Sequence, residues 1–171
     1  MIRHLLAALT LILPVPVTGV AAQAPAAPLT VFVVRHAEKG PETTDPSLTA
    51  EGRKRAEALA QVLRDARISA AFASEFKRTQ ETVAPLAGAG GLTTQVVPAA
   101  ALDSLVRLVR ALPPGSRAVV ASHSNLVHLI VERLSRVKLT PLTDLDYDRL
   151  VVVTVWADGR SEVVVLRYGE R

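Results

Sequence analysis

Residues Thr30 to Gly40 read T-V-F-V-V-R-H-A-E-K-G. The first half is an apolar, β-branched run of the kind that forms a buried strand. It stops at Arg35 and His36, two side chains that a buried strand does not need. A second run, Ala118-Val119-Val120-Ala121, stops the same way, in S-H-S-N with His123. Two buried strands that each release a histidine at the carboxyl end are the feature to be explained.

Working outward from them, strands and helices alternate. Leu48 to Ala66 carries Leu48, Ala56, Leu59, Val62 and Leu63 at helical spacing, with Thr49 able to cap its start and Gly52 as an early weak point. Ile68 to Ser74 predicts a strand, Lys77 to Leu86 a helix, and Thr94 to Val97 a strand behind the Gly88-Ala89-Gly90-Gly91 break. Leu102 to Leu112 predicts a helix ending at Pro113-Pro114-Gly115, Ala118 to Ser122 a strand, and Leu126 to Leu134 a helix. Leu150 to Trp156 and Val163 to Arg167 predict strands joined by a tight turn at Asp158-Gly159. This order predicts an α/β fold with a mostly parallel sheet, closed by a C-terminal antiparallel hairpin. Ligands in such sheets bind beyond the carboxyl ends of the strands. Arg35, His36 and His123 stand at such ends, and Arg78, just inside the helix after the second strand, can turn toward the same edge.

Composition narrows the classes. The 171 residues suit one domain, and with 49% apolar but only 4% aromatic residues the core must be built from Val, Leu and Ala. The net charge of +4 comes from basic residues scattered among acids. There is no basic stripe with interleaved aromatics, which argues against nucleic acid and leaves a surface that generally attracts anions. The chain has no cysteine, so no disulfide framework supports it. Met1-Ile2-Arg3-His4, the apolar Leu5 to Val17 broken by Pro14 and Pro16, and Val20-Ala21-Ala22 predict a signal peptide over 1–22 cleaved after Ala22. The segment is too short and too proline-broken for a stable membrane span. Residues 23–28 then predict a disordered lead, 29–171 the domain, and the whole an exported protein, periplasmic or extracellular.

R-H-A-E-K at Arg35, S-E-F-K-R-T-Q-E-T at Ser74 and S-H-S-N at Ser122 together resemble the histidine phosphatase superfamily, also called phosphoglycerate mutase-like, and its short phosphohistidine-phosphatase-like branch. The resemblance implies a three-layer α/β/α sandwich and a phosphoryl-transfer enzyme that needs no metal or other cofactor. It implies that His36 is phosphorylated and that water releases the product. Taken singly, each residue has a plainer reading: His36 as a strand-end histidine satisfied by a backbone carbonyl, His123 as an ordinary loop histidine, Arg78 on a solvated helix face. A metal site on two histidines is disfavoured, because the neighbouring arginines repel a divalent cation and no closed ligand spacing is present.

The chemistry expected of these residues is specific. His36 attacks phosphorus with an unprotonated ring nitrogen, which divides the transfer into two steps. Arg35 and Arg78 present paired N–H donors to the phosphoryl oxygens, a match lysine cannot reproduce. His123 donates to the same oxygens, while Ser124 and Asn125 line the pocket or cap the helix that follows. The general acid is the open assignment. Family members often carry it after the third strand, where this chain has Pro98-Ala99-Ala100, or directly after the second histidine, where it has Ser124. Glu38 is the first candidate, with pairing to Arg35 or Lys39 as its alternative, and Asp45 is the second. Tyr147 is expected near the mouth if the penultimate strand runs antiparallel. No long insertion covers the site, which favours a phosphatase over a phosphomutase. The expected partner is a phosphorylated small molecule such as an envelope sugar phosphate; a phosphate-binding or interaction module without turnover is the alternative.

Overall fold

The computed structural model describes residues 26–42 and 44–170, so the predicted signal peptide lies outside the described residues, as does the first half of the lead, 23–25. In chain order the elements are β1 (Leu29–Arg35), α1 (Ala50–Leu63), β2 (Ala70–Ala73), α2 (Lys77–Ala89), β3 (Thr94–Val96), α3 (Leu102–Arg110), β4 (Arg117–Ser122), α4 (Ser124–Ser135), β5 (Arg149–Val155) and β6 (Ser161–Arg167). The strands form one sheet in the order β3-β2-β4-β1-β5-β6. β3, β2, β4 and β1 are parallel, whereas β5 pairs antiparallel with β1 and β6 antiparallel with β5.

Alternation along the central strands builds two cores. Val31 and Val33 of β1, with Ala118 and Val120 of β4, face Val109 of α3 and Ile130, Val131 and Leu134 of α4. Val34, Val119 and Ala121 face the other way, onto Leu59 and Leu63 of α1 and Val83 and Leu86 of α2. Two helices therefore cover each face, giving the three-layer sandwich. Each fully buried Val or Leu side chain adds about 1.5–3 kcal/mol, which is how a cysteine-free domain holds its sheet. No helix among the described residues is long and apolar enough to cross a membrane.

Most element boundaries differ from the sequence reading by one to three residues, and two of the differences bear on the site. α4 begins at Ser124 rather than Leu126, because His123 is extended (φ −113°, ψ 158°) and its carbonyl accepts the N–H groups of Leu126 and Val127. α2 runs on to Ala89 through Pro85, whose missing N–H removes one rung without stopping the helix. α1 is shorter than predicted: Leu48 forms a bridge with Lys39, and Thr49 is the N-cap, its Oγ1 accepting Gly52 N–H at 3.0 Å. Gly52 is no weak point. A Cβ there would stand 2.1 Å from the Glu38 carbonyl oxygen, so only glycine lets α1 approach the segment that follows His36.

Candidate active site

Strand register brings the motif residues together. Arg35 of β1 lies opposite Ser122 of β4, and Ala73 of β2 lies opposite Ala121, so three parallel strands end side by side. His36 continues the ladder for one more bond, its N–H donating to the Ser122 carbonyl at 2.8 Å. Beyond these ends lies an open pocket of about 540 Å³ lined by Arg35, His36, Arg78, His123, Ser124 and Asn125, with Lys39, Phe76, Ala99, Ala100, Leu126 and Asp144 around them. The early start of α4 matters here, because the N–H groups of its first residues, Ser124 and Asn125, have no intrahelical acceptor and lie at the pocket wall.

His36 is held as a neutral base. Its Nδ1 lies 2.8 Å from the Ala37 carbonyl oxygen, which can only accept. Nδ1 therefore carries the proton and Nε2 keeps its lone pair. Burial drives the pKa down to about 3, against the opposing pull of the Ala37 carbonyl and with Arg35, His123 and Arg78 adding to the drop. The two imidazole centroids are 5.5 Å apart.

The arginines flank these rings. Nη1 of Arg35 donates to the carbonyls of Thr143 (2.9 Å) and Asp144 (3.1 Å), and its guanidinium lies 4.0 Å from the Tyr147 ring centroid. Arg78 packs over Phe76 at 4.3 Å and approaches Asp45 at 3.9 Å. In both residues Nε is buried without a hydrogen-bond partner among the described residues. A buried donor left unmade is costly, and a tetrahedral oxyanion supplies the acceptors that both guanidinium groups require.

His123 is oriented by a chain of hydroxyls. Arg78 Nη2, a group that only donates, lies 3.5 Å from His123 Nδ1, so Nδ1 is the acceptor and Nε2–H donates to Ser74 Oγ at 2.9 Å. Ser74 Oγ in turn lies 2.8 Å from Thr79 Oγ1, which donates onward to the Phe76 carbonyl. Burial first, then Arg78, lowers the His123 pKa to about 4, opposed by Glu75. Donation from His123 to a phosphoryl oxygen, as expected from the sequence, therefore requires an added proton at Nδ1.

A further hydroxyl ties the segment beside His36 to the helix that carries Arg78. Thr82 Oγ1 accepts the Ala37 N–H at 2.9 Å and donates to the Arg78 carbonyl at 2.6 Å. Ala37, whose carbonyl sets the His36 tautomer, is thus held through its N–H to Thr82 of α2. Thr82→Val keeps the shape and leaves the Ala37 N–H unpaired, and we expect kcat on p-nitrophenyl phosphate to fall by about tenfold, on the order of one buried hydrogen bond. Unchanged kcat in the folded variant would show that the tautomer needs no such support.

The sequence named some of these residues and misplaced one. Glu38 does not line the pocket: its Oε1 accepts from Arg55 at 2.7 Å, and Arg55 is anchored in turn on the carbonyls of Tyr168 and Glu170. The expected pairings with Arg35 or Lys39 are replaced by one made to α1. Asp45, at a φ of +45°, accepts the Lys77 N–H at 2.9 Å and so caps the helix that carries Arg78. Tyr147 lies at the site edge, stacked on Arg35 with its centroid 6.1 Å from that of His36. Ser74, Thr79 and Thr82 were not singled out. Their signal was three hydroxyls within one motif that a buried helix face must satisfy.

The two depressed histidines carry a stability consequence. Between the folded values, about 3 and about 4, and the ordinary 6.5, the unfolded chain binds protons that the folded chain does not, so stability falls as pH drops through that window. The thermal midpoint is expected to fall steadily from about pH 6.5 to about pH 4, and to fall less in His36→Asn. An equal pH dependence in parent and variant would show that His36 does not titrate in this way.

The fold has counterparts. Residues 31–102 match the model of a family described as the histidine phosphatase superfamily (branch 1). Similar solved structures include the protein histidine phosphatase SixA complexed with tungstate, 20% identical with a TM-score of 0.65 over 81% of this chain and 96% of that one. A mycobacterial glucosyl-3-phosphoglycerate phosphatase is 16% identical with a TM-score of 0.66, over 82% and 99% of the two chains. A SixA-named protein from Nakamurella multipartitia is 24% identical with a TM-score of 0.64, over 85% and 99%. No curated protein matches the chain by sequence.

Proposed function

We propose that the chain, whose residues 31–102 match the histidine phosphatase superfamily, is a histidine-type phosphatase that works through a phosphohistidine on His36, without metal, on a phosphomonoester or phosphoramidate outside the cytoplasm. The observation that carries this is the neutral His36 with Nδ1–H fixed by the Ala37 carbonyl, its Nε2 lone pair free beside two guanidinium groups whose Nε donors are unpaired.

In the first step the Nε2 lone pair forms a bond to phosphorus as the bond to the leaving oxygen breaks, and that oxygen takes up a proton. In the second, water attacks phosphorus, the N–P bond breaks and its electron pair returns to Nε2, releasing phosphate. Arg35, Arg78 and the amides at the start of α4 neutralise the charge carried by the equatorial oxygens, which is most of what this chemistry asks of a protein. His123 joins them when the dianion draws a proton onto its Nδ1. Neither candidate acid lines the pocket: Glu38 is bonded to Arg55, and Asp45, 3.9 Å from Arg78, caps the Lys77 N–H. A leaving group of low pKa needs neither.

Metal independence is supported by the cationic lining of the pocket. Export is supported by the signal-peptide pattern of residues 1–22. An open pocket of about 540 Å³, with Phe76 and Leu126 as apolar wall, admits a phosphorylated small molecule such as an envelope sugar phosphate. A binding module without turnover is the second reading, favoured by the fact that Asp144 is the one carboxylate lining the pocket among the described residues. Acid-free quenching of the protein during turnover, followed by peptide mapping, decides between them. We expect an acid-labile phosphoryl group on His36; turnover without any phosphoryl group on His36 would sink the covalent mechanism.

A further inference from the structure

We propose that Asp146 is a positioning residue for phosphoryl binding, which, through the turn from Thr143 to Asp146, determines the edge of Arg35 that faces the ligand. The inference rests on the phosphate reading of the pocket and names the part of the fold that sets its affinity.

The chain of contacts begins at the Asp146 carboxylate. Its Oδ2 accepts both the N–H of Thr143 (2.7 Å) and the hydroxyl of Thr143 (2.8 Å), while the Asp146 N–H donates back to the Thr143 carbonyl at 3.2 Å. Arg149 steadies the same carboxylate from outside at 3.8 Å. The turn so closed aims the carbonyls of Thr143 and Asp144 at Nη1 of Arg35. Tyr147, the next residue, lies across the guanidinium plane.

With Nη1 held and one face covered, the guanidinium has a single free edge, Nε and Nη2. These are two parallel N–H vectors, the pair that matches two phosphoryl oxygens. Nε is buried without a partner, and the other neighbour of that edge is the exposed Asp144 carboxylate, 4.0 Å from Nη2. A phosphoryl group displaces that weak contact and satisfies both donors. Without the turn, Nη1 loses its two acceptors and the side chain regains rotamer freedom that binding must then remove.

The test uses the full chain, with inorganic phosphate as the calorimetric probe and p-nitrophenyl phosphate as substrate. Asp146→Ala is expected to weaken phosphate binding and raise KM by about tenfold, the scale of one misplaced charge-assisted contact, with kcat changed far less. Asp146→Asn, whose amide oxygen still accepts from Thr143, is expected to restore most of the affinity. Phosphate affinity unchanged in Asp146→Ala, with only a lowered thermal midpoint, would overturn the proposal, as would an Asn variant as weak as the Ala variant. Should Asp146→Ala not fold, Thr143→Val carries the test: it removes one of the two donors, and unchanged phosphate affinity there overturns the proposal equally. Binding is measured apart from turnover. A parent that hydrolyses the ester while Asp146→Ala binds normally sinks this inference alone; a parent that binds phosphate and never hydrolyses sinks the catalytic reading, and weakened binding in Asp146→Ala then still supports the positioning role.

Discussion

His36→Ala is expected to abolish hydrolysis of p-nitrophenyl phosphate, a fall in kcat of at least about ten-thousand-fold, because the proposed mechanism runs through a covalent intermediate on His36. The choice of substrate makes the result decisive. Its leaving group departs without a proton, so the assignment of the acid does not enter. Phosphate binding should survive, since Arg35, Arg78 and the start of α4 remain. Assaying parent and variant with EDTA present tests the metal question in the same experiment. Substantial turnover in a folded His36→Ala protein would show that water is activated directly, with the imidazole a bystander.

Arg78→Ala is expected to lower kcat/KM by about 10²–10³-fold, the range found when a preorganised donor to a developing oxyanion is removed. Arg78→Lys should recover little of this, because an ammonium cannot offer the paired donors of the guanidinium edge. A second readout separates the role from simple loss of charge in the pocket. Arg78 is the largest electrostatic cause of the depressed His123 pKa, about 4, after burial itself. Its removal should let His123 titrate at a higher pH, visible in the imidazole NMR signals. A lysine variant with full kcat/KM would mean that Arg78 acts only as a cation.

The parts of this molecule legible in the sequence are those with a local signature. The β1 and β4 runs declare themselves by composition, and each ends at its reactive residue because the strand stops where its apolar residues stop. The hairpin of β5 and β6 was readable from Asp158-Gly159. The start of α4 was not, because Ser124 and Asn125 are polar and the helical period becomes visible only at Leu126; the structure brings both into the first turn because the His123 carbonyl accepts the opening bonds. Glu38 was misread for a different reason. Its proximity to His36 in sequence suggested the site, but along an irregular segment neighbouring side chains diverge, and Arg55, seventeen residues on, claims the carboxylate. The carbonyls that hold Arg35 come from more than a hundred residues away, and no local pattern announces a backbone acceptor.

The segment that matches the family ends at Leu102, yet His123 and the turn holding Arg35 come later in the chain. Strand β1, which ends at Arg35, is paired with β4 on one side and β5 on the other. The pocket that joins His36, Arg35, Arg78 and His123 therefore cannot form from the first half of the domain alone, however complete its motifs look. Because such distant strand pairings close slowly, recovery of catalysis after dilution from denaturant should lag the recovery of helical signal. On the proposed function, turnover is accordingly a probe of finished topology, and a proteolytic nick anywhere between Leu112 and Tyr147 that releases the later strands should abolish it while leaving every residue of the R-H motif in place.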